Sequence, residues 1–403
     1  MPMKIGLLGS GFVEWNGGLE FLMNVYRCLS SADVPCEIFV IIPRKGTRAK
    51  IRKAGRALLN WRYRDGEFRG AFRSEHSVRA VRQFSEISRE ERVYVVAPGA
   101  RPIRALAANL QLDVLLPSFQ VLPASIDIPW IGYLADLQHK YLKELFSESE
   151  KRKRDRHFDA MIHAARSILV NSKSVKSDLI EFYGAAETTV TALPFSASAL
   201  NSWFECDPRE VAVRYELQEP YFIICNQFWK HKGHRTAFLA FAELAEQVPE
   251  VSLVCTGSLE DYRDPTYFNS LQRILKNRNL EKRVKILGLI PKIDQIGLLR
   301  NAIAVVQPTL FEGGPGGGCV FDAISVGVPA IVSDIAINRE LMSEEITFFR
   351  AESVESLRDE MLSCFQRKQP SSVKSAEQLL AEGLARRQKC GNVILGVIER
   401  VLK

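Results

Sequence analysis

The sequence of 403 residues contains no apolar run that approaches the about 18 residues a membrane-spanning helix needs. Its eight cysteines form no CxxC pair and no cluster with histidine. That pattern argues against a structural zinc site and for reduced, mostly buried thiols. Residues 3–9 have the pattern of a strand rather than of a secretory signal. Together these absences predict a cytoplasmic protein.

Length and composition suit an ordinary globular chain. A chain of 403 residues is long for one core and comfortable for two domains of roughly 150 to 200 residues each. Hydrophobic residues make up 46% and charged residues 25%, which is typical of soluble proteins. The net charge of +7 suits an anionic ligand or surface but does not identify one.

The most informative stretch is QPTLFEGGPGGGCVFDAISVGVPAIVSDIAINRE, residues 307–340. The apolar run at 302–306 predicts a buried parallel strand, and Glu312 and the glycine-rich run 313–318 follow it. From about residue 318 apolar residues recur at helical spacing, with Asp322 near the helix start. A carboxylate, a glycine loop and a helix N-terminus together can bind anions and hydroxyl groups. The plain alternative is a turn that only connects a strand to a helix.

A second polar turn follows the predicted strand 221–225. It reads NQFWKHKGH, residues 226–234, and precedes an amphipathic helix predicted over 236–245. Two lysines and two histidines at a helix N-terminus are expected to concentrate positive potential where a diphosphate could bind. Solvated loop side chains are the alternative interpretation.

The N-terminal half has the rhythm of strands and helices. A strand at 4–8 is followed by Asn16, Gly17 and Gly18, which open a helix to about residue 29, although the full GxGxxG spacing is absent. Three further apolar runs predict strands separated by helical segments, at 93–96, 114–116 and 130–133. His139 follows the last of them, at the end of a strand where ligands of open α/β sheets collect. A lone histidine is more often structural.

Several charged or terminal segments have less specific patterns. Residues 44–73 carry eleven Lys or Arg and two acids, interleaved with aromatic residues. This predicts a solvated basic face or, alternatively, contact with a membrane surface or an anionic acceptor. Nucleic-acid binding is disfavoured because no recognised binding module surrounds the run. The helix predicted over 148–165 is interpreted as a solvated face, and the helical pattern over 376–402 is expected to break near Gly391.

The order of strand, Glu312, glycine loop and helix with Asp322 resembles the nucleotide-sugar site of family 4 glycosyltransferases (glycosyl transferase group 1). These are retaining enzymes of the GT-B architecture. That family has two glutamates with seven residues between them, whereas here Glu312 and Asp322 have nine between them and the second acid is one methylene shorter. The resemblance is dense over 221–340 and extends in outline to most of the chain.

The resemblance implies an α/β fold with two Rossmann-like doubly wound domains that face a central cleft. It implies an N-terminal acceptor-side domain at 1–197, with the hinge in the Ser/Ala/Asn-rich stretch 196–202. A nucleotide-sugar domain would span 198–385. A terminal helix at 386–403 would cross back to the first domain.

The resemblance also implies roles for individual residues. The family's Arg and Lys, five residues apart, bind the two phosphates; the Lys position is Lys232, but the Arg position is Gln227. Glu312 would orient the donor sugar, Asp322 would bind the ribose, and His139 would assist from across the cleft. The catalytic residues implied are therefore Lys232, Glu312 and His139. The donor-binding residues implied are Gly17, Gly18, Gln227, Gly288, Ile290, Gly314, Gly316, Gly317 and Asp322.

The activity implied is transfer of a sugar from a nucleotide diphosphate sugar to an acceptor hydroxyl with retention, by a hexosyltransferase-type enzyme of glycan or cell-surface polysaccharide synthesis. Neither a metal nor another cofactor is expected. The expected partners are the donor and a glycan or lipid-linked acceptor. A peripheral position at the inner membrane face, through residues 44–73, is a variant of the cytoplasmic prediction. The alternatives are a GT-B epimerase or phosphorylase, and a non-catalytic nucleotide-sugar-binding protein.

Overall fold

The fold is that of a computed structural model, which describes residues 2–44, 73–88, 90–367 and 374–403. Most of the basic stretch, residues 45–72, lies outside the described residues, so the predicted membrane or acceptor contact of that stretch stays a prediction.

Two parallel sheets organise the chain. The first has seven strands in the order β3-β2-β1-β4-β5-β6-β7, and the second has six in the order β10-β9-β8-β11-β12-β13. Parallel strands covered on both faces have continuous apolar sequences, as YFIIC in β8 illustrates. The strands are β1 Met3–Leu8, β2 Cys36–Pro43, β3 Val93–Val96, β4 Val114–Ser118, β5 Trp130–Tyr133, β6 Ser167–Val170, β7 Val190–Ala192, β8 Tyr221–Cys225, β9 Ser252–Thr256, β10 Val284–Gly288, β11 Val305–Gln307, β12 Ala330–Ser333 and β13 Ile346–Phe349.

Helices connect most of the strands and cover the sheets. In chain order they are α1 Asn16–Ser30, α2 Arg73–Ile87, α3 Ala100–Leu110, α4 Gln138–Tyr141, α5 Glu148–Ala164, α6 Lys173–Tyr183, α7 Ser202–Glu205, α8 Pro208–Arg214, α9 His234–Gln247, α10 Tyr267–Asn277, α11 Lys292–Arg300, α12 Gly317–Ser325, α13 Val354–Gln366 and α14 Ala376–Leu402. Short 3-10 turns lie at Glu90–Arg92, Lys143–Leu145, Lys230–Lys232 and Ala336–Glu340.

One predicted connection is wrong. Residues 119–129, all of them described, join β4 to β5 without a helix, although the strand pattern suggested one between each pair. Pro123 and Pro129 lack the backbone N–H that a helix interior needs. The segment therefore crosses from strand to strand as an irregular loop.

The C-terminal helix is continuous, which corrects the expected break near Gly391. It packs against α1, and its apolar residues, among them Ile394 and Ile398, join the core of the first domain. A Cβ at Gly391 would lie 2.1 Å from the carbonyl oxygen of Cys28. The glycine therefore permits close approach of two helices rather than ending one. The predicted return of the terminal helix to the first domain is confirmed, while the domain boundaries at 197 and 385 stay predictions.

Candidate active site

The glycine loop between β11 and α12 has the backbone geometry that its residues allow. Gly316 and Gly317 both have φ of 69°, in the left-handed region that favours glycine. The amide of Gly316 donates to Asn338 Oδ1 at 2.8 Å, which fixes the loop on the turn after β12. Helix α12 begins at Gly317, so its free N-terminal amides lie beside the loop.

Lys232 and Glu312, predicted to act together, are in contact. Lys232 Nζ lies 2.5 Å from Glu312 Oε1, and the two side chains are only 11% and 9% exposed. Gln307, fully buried at the end of β11, donates from Nε2 to Glu312 Oε1 at 3.0 Å and to the Gly316 carbonyl at 2.9 Å. The carboxylate is therefore held by two donors. The sequence interpretation missed Gln307, whose only signal was an uncharged polar residue at the end of an apolar strand.

His231, in the turn before α9, and His234, the first residue of α9, do not add positive charge, which corrects the prediction made for them. Burial, with Lys232 as a further cause, lowers the pKa of both His231 and His234 to about 3. His234 is fully buried and stacks on Phe228 with ring centroids 4.1 Å apart. Both rings are neutral at pH 7, so Lys232 supplies the buried charge of this turn.

Asp322 has a partner that the sequence did not suggest. The ammonium of Lys292, at the start of α11, contacts Asp322 Oδ2, and it lies 5.6 Å from the Trp203 ring centroid. Burial would lower the pKa of Lys292, but the carboxylates of Asp322 and Glu20 outweigh it and the pKa is raised. Because Glu20 belongs to α1, the first domain faces this pair.

The second-domain loops meet the first domain directly. A Cβ at Gly313 would lie 2.8 Å from the carbonyl oxygen of Ala135, and one at Gly314 would lie 3.2 Å from Asn171 Cβ. Phe311, next to Glu312, packs on Tyr141 with ring centroids 5.8 Å apart. The Lys232–Glu312 pair and the first domain therefore border one crevice. Gly313 and Gly314 also let the two domains approach each other closely, which the sequence did not reveal.

The start of α6 adds a second contact across the crevice. Ser172 caps the helix by accepting from the Val175 amide at 3.0 Å. The amides of Lys173 and Ser174 donate to the Glu340 carboxylate, which follows β12 in the second domain, at 2.8 and 2.7 Å. Ser172 and Lys173 thus lie near the cleft.

His139 is buried and bonded within its own domain. Its Nε2 lies 2.9 Å from Asp155 Oδ1 and 3.2 Å from the Tyr183 hydroxyl, and its Nδ1 accepts from Arg154 Nε at 3.1 Å. Since Nδ1 accepts, Nε2 carries the proton and donates to Asp155. Burial lowers the pKa of His139 and keeps the ring neutral. The structure does not bring this ring to the Lys232–Glu312 pair, so its predicted assistance across the cleft stays a prediction.

Arg154 corrects the interpretation of its helix as a wholly solvated face. Besides the bond to His139, its guanidinium donates to the Asp136 carboxylate at 2.6 Å and to the Asp136 carbonyl at 3.0 Å. A run of four basic residues gave no sign that one of them turns inward.

The remaining predicted donor-binding residues are placed as follows. Trp15, 47% exposed, covers the glycine pair: a Cβ at Gly17 or Gly18 would lie 2.5 Å from the indole. Gln227 is exposed after β8. Gly288, with φ of 67°, ends β10 and accepts from the Gly257 amide at 2.8 Å; the half-buried Ile290 follows it. None of these roles is tested by the geometry alone.

Within residues 2–44, 73–88, 90–367 and 374–403, no three His, Cys, Asp or Glu side chains are grouped to hold a metal ion. In the same ranges, every helix is too short or too polar to cross a membrane.

Two doubly wound parallel domains with a polar crevice between them are the features of the GT-B fold. A sequence model of the family described as "Glycosyl transferases group 1" matches residues 211–379. Residues 211–379 are therefore similar to that family, and the predicted resemblance is confirmed over this part of the chain. The match covers the second sheet, which contributes Lys232, Glu312 and Asp322.

Solved structures with the same fold extend over the whole chain. Anabaena Alr3699/HepE in complex with UDP-glucose is 16% identical with a TM-score of 0.65, over 99% of this chain and 100% of that one. A glycosyltransferase from Rickettsia africae is 13% identical with a TM-score of 0.64, over 100% and 99%. Sucrose-phosphate synthase from Thermosynechococcus elongatus is 15% identical with a TM-score of 0.60, over 99% and 98%. These likenesses confirm the predicted GT-B fold. No curated protein matches the sequence.

Proposed function

We propose that the protein transfers a hexosyl group from a nucleotide diphosphate sugar to an acceptor hydroxyl on a glycan, with retention at the anomeric carbon. The observation that carries the proposal is the buried Lys232–Glu312 pair beside the glycine loop, at the crevice between the domains. The family match over residues 211–379 supports glycosyl transfer, and the UDP-glucose complex of the HepE structure supports a nucleotide-sugar donor.

The costly event in such a transfer is charge separation. The sugar becomes oxocarbenium-like while the leaving diphosphate gains negative charge, so groups that stabilise the diphosphate accelerate the reaction. The ammonium of Lys232 has three N–H donors and uses one on Glu312. It can therefore keep that bond and also donate to a phosphate oxygen. The free amides at the start of α12 would add donors in the same place.

The carboxylates would hold the two ends of the donor. Glu312, fixed by Lys232 and Gln307, would accept hydrogen bonds from sugar hydroxyls. Asp322, held by Lys292, would accept from the ribose hydroxyls. Because Lys232 and the helix amides supply the countercharge, we propose that turnover needs no divalent ion; equal rates with EDTA and with added Mg²⁺ would support this.

The test is release of nucleoside diphosphate from a panel of nucleotide sugars. Wild type is expected to release it from at least one donor, whereas Lys232→Met and Glu312→Gln are expected to release it far more slowly. Proton NMR of the product sugar would report whether the anomeric configuration is kept. Tight donor binding without release in the wild type would contradict the proposal and favour a non-catalytic binding protein.

A further inference from the structure

We propose that a cationic cavity of the first domain, beside the crevice, binds a phosphate group carried by the acceptor. This inference rests on the proposed function, because it names the chemistry of that reaction's second substrate. The cavity has a volume of about 290 Å³ and is lined by His139, Lys140, Lys143, Lys151, Asp155 and Phe182.

The charges around the cavity favour an anion. Asp155 is the one carboxylate of the lining, and its Oδ1 lies 2.8 Å from Lys140 Nζ. Lys151 is paired at 2.8 Å with Glu148, whose side chain is 72% exposed and so lies largely in solvent. Lys143 has no carboxylate partner among the residues that the structure describes. The carboxylates of Asp155 and Glu148 offset two of the three ammonium groups, so the net positive charge of the cavity is that of Lys143.

Asp155 stays ionised and is already bonded within its own domain. Burial would raise the pKa of Asp155, but hydrogen bonds from Lys140, Tyr183 and His139 outweigh it and lower the pKa to about 2. Its role is to orient Lys140, whose ammonium also lies 4.9 Å from the Tyr183 ring centroid. The cavity therefore has a prearranged ammonium in Lys140 and a free one in Lys143. Ammonium groups are suitable donors to phosphate oxygens.

The cavity is connected to the candidate active site by aromatic side chains. Phe182, in the cavity wall, packs on Tyr141 with ring centroids 6.2 Å apart, and Tyr141 packs on Phe311 at 5.8 Å. Phe311 directly precedes Glu312. An acceptor with its phosphate in the cavity would extend over the half-exposed Tyr141 ring toward the crevice. Phosphate and accepting hydroxyl would thus be on different parts of the acceptor.

The experiment compares the loss of one lysine that lines the cavity with the loss of one that does not. Lys143→Gln removes the free ammonium of the cavity, and the side chain is exposed, so the fold should not change. Lys153→Gln removes the same charge from an exposed position on α5 that does not line the cavity. Binding is measured by calorimetry with glucose 6-phosphate, and by sedimentation with phosphatidylcholine vesicles that contain undecaprenyl phosphate.

We expect Lys143→Gln to bind the phosphate probe about tenfold or more weakly than wild type, the usual effect of losing one hydrogen bond to a charged group. Lys153→Gln should bind like wild type. The arm in which this contrast is seen identifies the source of the phosphate, a soluble sugar phosphate or a lipid. The proposal is overturned if wild type binds neither probe, or if the two variants bind equally in both arms, as they would for phosphate at the diphosphate site.

Failure of this inference can be told apart from failure of the proposed function. Hydrolysis of the donor by water needs no acceptor phosphate, so nucleoside diphosphate release by wild type tests the proposed transfer without the cavity. Absence of that release in wild type would count against the proposed transfer. The binding contrast between Lys143→Gln and Lys153→Gln would still be measurable.

Discussion

Two clusters of polar and charged side chains lie near the ends of parallel strands, one in each domain, and they differ in which hydrogen-bonding groups stay free for a ligand. In the second domain, Lys232 and Glu312 share a short bond, and the ammonium keeps N–H groups for a ligand. In the first domain, Asp155 and Arg154 take up both ring nitrogens of His139. A polar side chain near a strand end can thus bind a ligand only if some of its hydrogen-bonding groups are not already used within its own domain.

The largest effect should come from the second-domain cluster. Lys232→Met removes the ammonium that would stabilise the leaving diphosphate, so donor turnover should fall about 100- to 1,000-fold. It also leaves the Glu312 carboxylate buried without its cation, which should lower the free energy of unfolding by about 3–5 kcal/mol. Nucleoside diphosphate release and urea denaturation measure the two effects.

A double variant separates these two effects. Lys232→Met combined with Glu312→Gln removes both charges, so most of the stability should return while turnover stays low. Recovery of turnover together with stability would mean that Lys232 acts only through the fold.

A change in the first-domain cluster should lower stability but leave turnover nearly unchanged. His139→Gln breaks the bonds to Asp155 and Arg154, and we expect the free energy of unfolding to fall by about 1–3 kcal/mol. Turnover should change by no more than about threefold, because the ring is bonded within its own domain. The control is His163→Gln, on the same domain's surface with a side chain 74% exposed. A large loss of turnover at unchanged stability would instead support the predicted catalytic role.

Variants of Lys292 test the Lys292–Asp322 pair, which is proposed to bind the ribose of the donor. Lys292→Met frees the Asp322 carboxylate from its partner, so the KM for the donor should rise about tenfold with little change in kcat. Lys292→Arg keeps the positive charge and should keep most of the affinity. An unchanged KM for Lys292→Met would show that Asp322 needs no partner or does not bind the donor.

The parts of the site that could be predicted from the sequence are those carried by neighbouring residues. Glu312 and the glycine loop directly follow a strand, and Lys232 lies in the turn after another, so local patterns placed them correctly on the two loops. Lys292 and Asp322 are 30 residues apart, and Arg154 and His139 are 15 apart. Such pairs form by tertiary packing, and a lysine or arginine on a helix has the same local pattern whether it faces solvent or a buried acid.

The fold was predictable because its strands have local sequence patterns. The two wrong predictions concern segments whose structure depends on tertiary packing. Apolar runs of strand length fixed the strand order along the chain, because burial on both faces requires them. The loop at 119–129 and the continuous helix at Gly391 depend on what packs against them. A glycine such as Gly391 often marks the end of a helix. Here it lets the helix pack closely against the carbonyl of Cys28.

The last prediction concerns the charge of His234, the first residue of α9. The pKa of His234 is about 3 in the folded chain, against about 6.5 when unfolded, because the ring is buried. Between these values the unfolded chain binds the proton and the folded chain does not, so stability rises with pH. Each pH unit below 6.5 should therefore cost up to about 1.4 kcal/mol, and the full stability should be present only above pH 6.5.

His234→Phe removes this titration while keeping an aromatic ring against Phe228. Neither ring nitrogen of His234 has a hydrogen-bond partner among the described residues, so the apolar replacement leaves no new unpaired group. Urea denaturation at pH 7.5 and pH 5 should show a smaller loss of stability for His234→Phe than for wild type, with His163→Gln behaving like wild type. Equal losses in all three proteins would mean that His234 carries a proton in the folded state. The sequence-based prediction of a positive charge there would then be correct.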